Sequence, residues 1–86
     1  MLTITLRLSE SLLCIFRDSG KPRPETMDIR VEQGTTVREI LVNQGINPLL
    51  VPMAALAEDG KNRRVDLATP VTADGTLILY GPLAGG

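Results

Sequence analysis

The sequence predicts an α+β domain in which one main helix packs on one face of a mixed sheet. Aliphatic and polar residues alternate near the start of the chain and again at residues 27–31, as in strands with one buried face. A helix with its own start signal follows at residues 36–44, and a continuous aliphatic run stands near the end. Because 86 residues bury only one small core, these elements form a single pair of layers.

The first strand is Leu2 to Leu8, where Leu or Ile alternates with Thr or Arg. Residues 9–17 fit a short helix that Ser9 caps, and a continued or bent strand is the alternative. The apolar side of that helix consists of Leu8, Leu12, Ile15 and Phe16. We expect the helix.

Residues 18–25 form a loop, because Gly20, Pro22 and Pro24 interrupt any regular element. Aliphatic and charged side chains then alternate from Met27 to Val31. This pattern predicts a second strand that returns beside the first as a wide hairpin.

The main helix begins at a capping box, in which the Thr36 hydroxyl accepts from the Glu39 amide and the Glu39 side chain reaches back. Its apolar face consists of Val37, Ile40 and Leu41. That face must cover a sheet, and we expect it in the core. Gly45 follows the last turn, where a glycine readily takes the left-handed conformation that ends a helix.

Pro48 and Pro52 bracket the next connection, so the third strand is expected from Met53 to Ala57. Asp59-Gly60 predicts a tight turn into a short polar strand from Lys61 to Val65.

A second turn is expected at Asp74-Gly75, before the last strand at residues 77–80. The continuous run LILY predicts an interior strand, with Leu77 and Leu79 in the core beside Ile4 and Leu6 of the first strand. A parallel pairing of the first and last strands needs a long right-handed crossover, which the middle of the chain provides. This arrangement is the β-grasp fold of ubiquitin.

The charge balance argues against a nucleic-acid partner. Nine basic and ten acidic residues give a net charge of −1, with no basic stripe that neutralises a run of phosphates. No stretch approaches the length of a membrane span, and the first residues lack the basic and apolar regions of a secretory signal. We therefore expect a cytoplasmic protein with no membrane partner.

The residue types that usually carry catalysis are scarce. The chain has no histidine and a single cysteine, Cys14, which lies in an aliphatic run and is interpreted as a small buried apolar residue. No glycine-rich phosphate loop is present. We expect no catalytic residue, bound cofactor or metal site in this chain.

The sequence ends on YGPLAGG, from Tyr80 to Gly86. Glycine loses more backbone freedom on ordering than any other residue, so a terminal pair of glycines disfavours regular structure. We expect a β-grasp domain at residues 1–80 and a flexible tail at residues 81–86.

Two segments resemble the ubiquitin-like sulfur carriers, which include the small subunit of molybdopterin synthase and the thiazole-biosynthesis carrier. EQGTTVREIL, residues 32–41, is similar to that family's start of the helix. ATPVTADGTLILYGPLAGG, residues 68–86, is similar to its Thr-Pro segment, Asp-Gly turn, last strand and Gly-Gly end. Tyr80, Pro82 and Leu83 before Ala-Gly-Gly look most like the molybdopterin branch.

The chain departs from the pattern of that branch in three places. Gly81 stands where the branch usually has another proline, and the third strand ends in Ala-Glu-Asp-Gly in place of Val-Asn-Gly. The first turn lacks the frequent Leu-Arg pair. These departures concern the pathway more than the fold.

The resemblance implies a reaction on the Gly86 carboxylate. An adenylyltransferase of the ubiquitin-activating type adenylates it with ATP, and a sulfur donor then displaces AMP to leave a thiocarboxylate. Activation comes first because an ionised carboxylate is a poor electrophile. The residues that thread the partner's channel are Pro82, Leu83, Ala84 and Gly85. A synthase large subunit is the implied acceptor of the sulfur.

Three functions agree with the sequence. The first is sulfur carriage for the molybdenum or tungsten cofactor. The second is the same chemistry at Gly86 in thiamine thiazole, thiolated tRNA or cysteine synthesis, or in conjugation to protein lysines. The third is a ubiquitin-like interaction module that is never activated.

Overall fold

A computed structural model describes the chain from Met1 to Pro82. Four predicted site residues lie outside the described residues: Leu83, Ala84, Gly85 and Gly86. The predicted division into a domain and a tail therefore stays a prediction.

The described residues form one five-stranded mixed sheet with two α-helices. The elements in chain order are β1 (Leu2–Leu8), α1 (Glu10–Asp18), β2 (Thr26–Val31), α2 (Val37–Asn43), β3 (Met53–Glu58), β4 (Lys61–Val65) and β5 (Gly75–Tyr80). The strand order is β2-β1-β5-β3-β4, in which β1 and β5 are parallel and the other pairs antiparallel. This is the β-grasp fold, and the central position of β5 is as predicted.

The segment after β1 is helical, so the bent-strand alternative is wrong. Leu12 and Phe16 of α1 are buried, whereas Ile15 is only partly covered. Ser9 stands at the position that precedes the helix, but its side chain makes no capping hydrogen bond. The predicted cap is therefore correct in place and wrong in its bonding.

Both ends of α2 follow the sequence signals. The Thr36 hydroxyl accepts from Glu39 N at 3.2 Å, and Thr36 N donates to Glu39 Oε1 at 3.1 Å. After the last turn Gly45 has a φ of 74°, and the amide of Ile46 donates to Leu41 O. These bonds satisfy amides and carbonyls that a helix end leaves without partners.

The core lies between the helices and one face of the sheet. Every residue predicted for it is buried: Ile4, Leu6, Val37, Ile40, Leu41, Leu77 and Leu79. The alternation along β1 and β5 puts their remaining side chains on the opposite face.

The two Asp-Gly turns have different outcomes. Asp59 and Gly60 have φ values of 49° and 76° and form the predicted tight turn between β3 and β4. Gly75, by contrast, is already the first residue of β5, and the bend lies at Ala73 and Asp74. A Cβ at Gly75 would lie 2.6 Å from the carbonyl oxygen of Ala57, so this glycine is required by close strand packing.

Candidate functional site

The end of β5 is the point from which the predicted site residues continue. β5 runs through the middle of the sheet to Tyr80, and Gly81 and Pro82 follow it. Gly81 is buried and Pro82 is exposed. Of the predicted channel residues, Pro82 alone lies among those described, and it is on the surface.

Gly81 is held by the residue that joins β1 to α1. Its amide donates to the Ser9 hydroxyl at 3.1 Å, and Ser9 N donates to Leu79 O at 2.9 Å. Ser9 and Ser11 also share a hydrogen bond of 3.1 Å between their hydroxyl oxygens. We call Ser9 and Gly81 the exit anchor.

Gly81 also packs closely against the first turn of α1. A Cβ at this position would lie 2.7 Å from the Ser11 hydroxyl oxygen and 3.0 Å from Cγ of Leu12. Its φ is not in the left-handed region, so glycine is favoured here by limited space, since a larger residue would have to displace the Ser11 hydroxyl and crowd Leu12. Proline would lack the donated N–H and would place ring atoms in the same space, which explains this departure from the molybdopterin branch.

Beside the exit anchor lies an open groove between α1 and the sheet. Its lining includes Arg7, Glu25, Cys14, Arg17, Ile78 and Tyr80. Cys14 is half-buried, so the expectation of a buried residue is only partly correct, and the Arg17 guanidinium donates to its sulfur at 3.1 Å. Arg7 and Glu25 lie 4.0 Å apart and are both largely exposed. A bridge of this kind contributes little to stability.

The sheet face that points away from the core has apolar side chains at its centre. We call this surface the open face. It consists of Met53, Ala55, Ile78 and Tyr80, all half-buried, with Arg7 and Arg64 at its sides. Strand register puts Ile78 between Arg7 and Ala55, and Ala55 next to Arg64. A row across four strands thus reads arginine, isoleucine, alanine, arginine.

The charges on the open face favour an acidic partner. Arg64 is exposed and makes no ion pair with any residue that the structure describes. The neighbouring Arg63 points to the other side of β4 and lies 3.4 Å from Glu58. Arg7 already lies 4.0 Å from Glu25, so of these two arginines Arg64 is the one without an ion pair among the described residues, and the face fits an apolar surface with a carboxylate beside Arg64.

Neither the exit anchor nor the open face was predicted from the sequence. The position of Ser9 before a helical segment indicated a helix cap. The sequence feature that distinguished Gly81 was that it stands where the molybdopterin branch usually has a proline. The open face had a local signal, because Ile78 and Tyr80 alternate with the buried Leu77 and Leu79.

Residues 1–82 contain no grouping of three or more metal-ligating side chains. No helix within the same range is long and apolar enough to cross a membrane.

No protein-family model matches the chain, and no curated protein sequence matches it significantly. Two crystal structures of small archaeal modifier protein 1 from Haloferax volcanii have a similar fold, each with a TM-score of 0.58. The first is 20% identical, with 98% of this chain and 99% of that chain covered. The second is 18% identical, with 96% and 100% covered. At these identities the likeness establishes the ubiquitin-like β-grasp fold.

Proposed function

We propose that this chain is a ubiquitin-like sulfur carrier that reacts at the carboxylate of Gly86. The observation that supports the proposal best is the position of β5. The central strand of a β-grasp sheet leads straight into Gly81, and the sequence then continues through Pro-Leu-Ala-Gly-Gly. Gly86 is the terminal residue of the mature protein in this proposal.

The reaction has two steps on the same carbon. A carboxylate oxygen of Gly86 attacks the α-phosphorus of ATP, and pyrophosphate leaves to give an acyl-adenylate. A hydrosulfide ion from a sulfur donor then attacks the carbonyl carbon, and AMP leaves with the electron pair of the broken C–O bond. The thiol proton is lost to solvent, and the product is a thiocarboxylate with no change in the oxidation state of carbon.

The residues before Gly86 suit delivery into another protein's active site. Gly85 has no Cβ, so a narrow channel that excludes side chains still admits the backbone at this position. Fixing each residue costs about 1–2 kcal/mol of conformational entropy, and Pro82 lowers that cost because its ring already fixes φ. Leu83 adds an aliphatic side chain that an apolar pocket at the channel mouth would bury.

The partner that docks on the open face in this proposal is the activating adenylyltransferase. Tyr80 belongs to the open face and directly precedes the exit anchor, so a protein bound there lies next to the emerging chain. Arg64 at the side of the face makes no ion pair with a described residue and favours a carboxylate on that partner, whereas Arg7 is already beside Glu25.

The sulfur acceptor in this proposal is the large subunit of molybdopterin synthase, because Tyr80, Pro82 and Leu83 before Ala-Gly-Gly resemble the molybdopterin branch of the carriers most. Thiamine thiazole, thiolated tRNA and cysteine synthesis are alternatives that use the same thiocarboxylate. A second candidate function is attachment to protein lysines, which the shared fold with a small archaeal modifier protein favours. Both functions begin with the adenylate of Gly86.

Mass spectrometry of the protein from its own cells tests the proposal directly. We expect a mature chain that ends at Gly86, with a fraction heavier by the exchange of one oxygen for sulfur. Purified protein with ATP and an adenylyltransferase from the same cells should release pyrophosphate. A mature chain that extends beyond Gly86, or the absence of pyrophosphate release, contradicts the proposal. Either result favours the alternative of a ubiquitin-like interaction module that is never activated.

A further inference from the structure

Ser9 uses its hydroxyl in an unusual way for a residue that precedes a helix. Such a hydroxyl normally accepts from an amide of the first helical turn. In this chain no backbone amide of the first turn donates to Ser9 Oγ, which accepts instead from Gly81 N at 3.1 Å and shares a hydrogen bond with the Ser11 hydroxyl. The hydroxyl thus joins two segments that are 72 residues apart in the sequence.

The backbone of Ser9 strengthens the same connection. Ser9 N donates to Leu79 O at 2.9 Å, so one residue binds β5 at two points, on either side of Tyr80. The close approach of Gly81 to Ser11 and Leu12 limits movement toward the helix. Position and direction of the chain at Gly81 are therefore fixed by contacts on two sides.

Gly81 of the exit anchor lies five residues before Gly86 in the sequence. Five residues follow Gly81, and an extended segment of that length spans at most about 17 Å. Without the Ser9 bond, Tyr80 is the last described residue whose backbone is paired in the sheet, so we expect a wider range of chain directions at Gly81. Displacement of a reacting group by about 1 Å lowers a rate by up to about 100-fold.

We propose that the exit anchor positions the Gly86 carboxyl for adenylation, with Ser9 as a positioning residue that acts through Gly81. The inference rests on the proposed function and adds a step within it. The open face determines how tightly the partner binds, and the exit anchor determines how often the bound carboxyl meets the α-phosphorus of ATP.

The experiment compares Ser9→Ala with Ser9→Thr and Ser19→Ala. Ser9→Thr keeps a hydroxyl at the anchor. Ser19→Ala removes a hydroxyl from the other end of α1, where Ser19 Oγ donates to Phe16 O at 2.9 Å. Amide hydrogen exchange at Gly81 reports the anchor, and exchange at Leu6 and Leu77 reports the core. Pyrophosphate release with an adenylyltransferase from the same cells gives kcat and KM for the carrier.

For Ser9→Ala we expect exchange at Gly81 to accelerate by about two- to tenfold, as for the loss of one hydrogen bond. The core amides keep their rates. We expect kcat to fall about tenfold while KM for the carrier is unchanged, because the open face is intact. Ser9→Thr and Ser19→Ala should both keep the kcat of the unaltered protein.

Each outcome decides a separate point. Unchanged exchange at Gly81 in Ser9→Ala overturns the anchor itself, and faster exchange with unchanged kcat overturns its role in adenylation. If the unaltered protein releases no pyrophosphate, the proposed function fails, and the role of the anchor in activation fails with it. If Ser9→Ala loosens the core amides, Gly81→Ala tests the same step, because it keeps the Ser9 hydroxyl and displaces the chain from Ser11. An unchanged kcat in that variant overturns the inference.

Discussion

Ile78 of β5 pairs with Ala55 of β3 on the sheet face that points away from the core. Both side chains are half-buried, and the two residues that continue their row across the sheet are Arg7 and Arg64. A half-buried isoleucine between two arginines has no evident role in stabilising the core, which lies on the opposite face. We therefore propose the open face as the surface on which the activating partner docks.

Ile78→Asp tests the contact surface. A carboxylate at this position would meet apolar partner atoms and remain without a partner of its own, so we expect KM for the carrier to rise at least tenfold in the adenylation assay. Asn62→Asp is the matched control, since it adds the same charge on the same face, near the β3–β4 turn. Equal KM values for the two variants would contradict docking at Ile78.

Arg64→Glu tests the charge that we expect on the partner. The reversal should raise KM for the carrier several-fold at low salt, and added salt should reduce the difference because it screens the charges. Arg63→Glu changes the net charge equally on the other side of β4 and serves as the control. If Arg63→Glu has the larger effect, the partner binds the other side of the sheet.

Gly75→Ala should destabilise the fold. The added Cβ would lie 2.6 Å from the backbone oxygen of Ala57, which a neighbouring strand holds in place. We expect the free energy of unfolding to fall by about 1–3 kcal/mol, the usual cost of overpacking. Urea denaturation measures it, with Thr72→Ala in the preceding loop as a control. A loss as small as that of Thr72→Ala would show that β3 and β5 separate easily.

The elements that the sequence predicted well are those whose signals are local. The capping box joins Thr36 to Glu39 within one turn. The alternation from Leu2 to Leu8 indicates a strand, whichever strand is its neighbour in the sheet. The parallel pairing of β1 and β5 followed from chain connectivity once β5 was taken as interior.

The features that the sequence did not predict depend on distant neighbours. Gly75 was taken for a turn glycine, but its requirement comes from Ala57 on another strand. Gly81 gave no local signal of its packing against Ser11, and Ser9 gave the signal of a cap. Tertiary packing decides whether the Ser9 hydroxyl accepts from an amide of α1 or from the Gly81 amide, because the two amides are equally good donors.

The last prediction concerns Gly86, where the proposed chemistry occurs. The described core consists of residues between Ile4 and Leu79, and we expect it to stay intact when Gly86 is deleted, because terminal residues usually contribute little to a fold. We expect the melting temperature to be unchanged and adenylation to be lost, since a carboxylate on Gly85 stops one residue, or about 3.5 Å, short of the α-phosphorus.

Two substitutions in the same adenylation assay separate the effect of tail length from the effect of side-chain size. Gly85→Val keeps the length of the chain but adds a branched side chain, so it should abolish adenylation if the partner's channel excludes Cβ atoms. Leu83→Ala should weaken binding more modestly, because it removes an aliphatic contact worth about 1.5–3 kcal/mol when fully buried. Pyrophosphate release and the mass of the thiocarboxylate are the readouts. A truncated chain that is loaded with sulfur as well as the full chain would falsify the carrier function, because no other residue of the proposal supplies the reacting carboxylate.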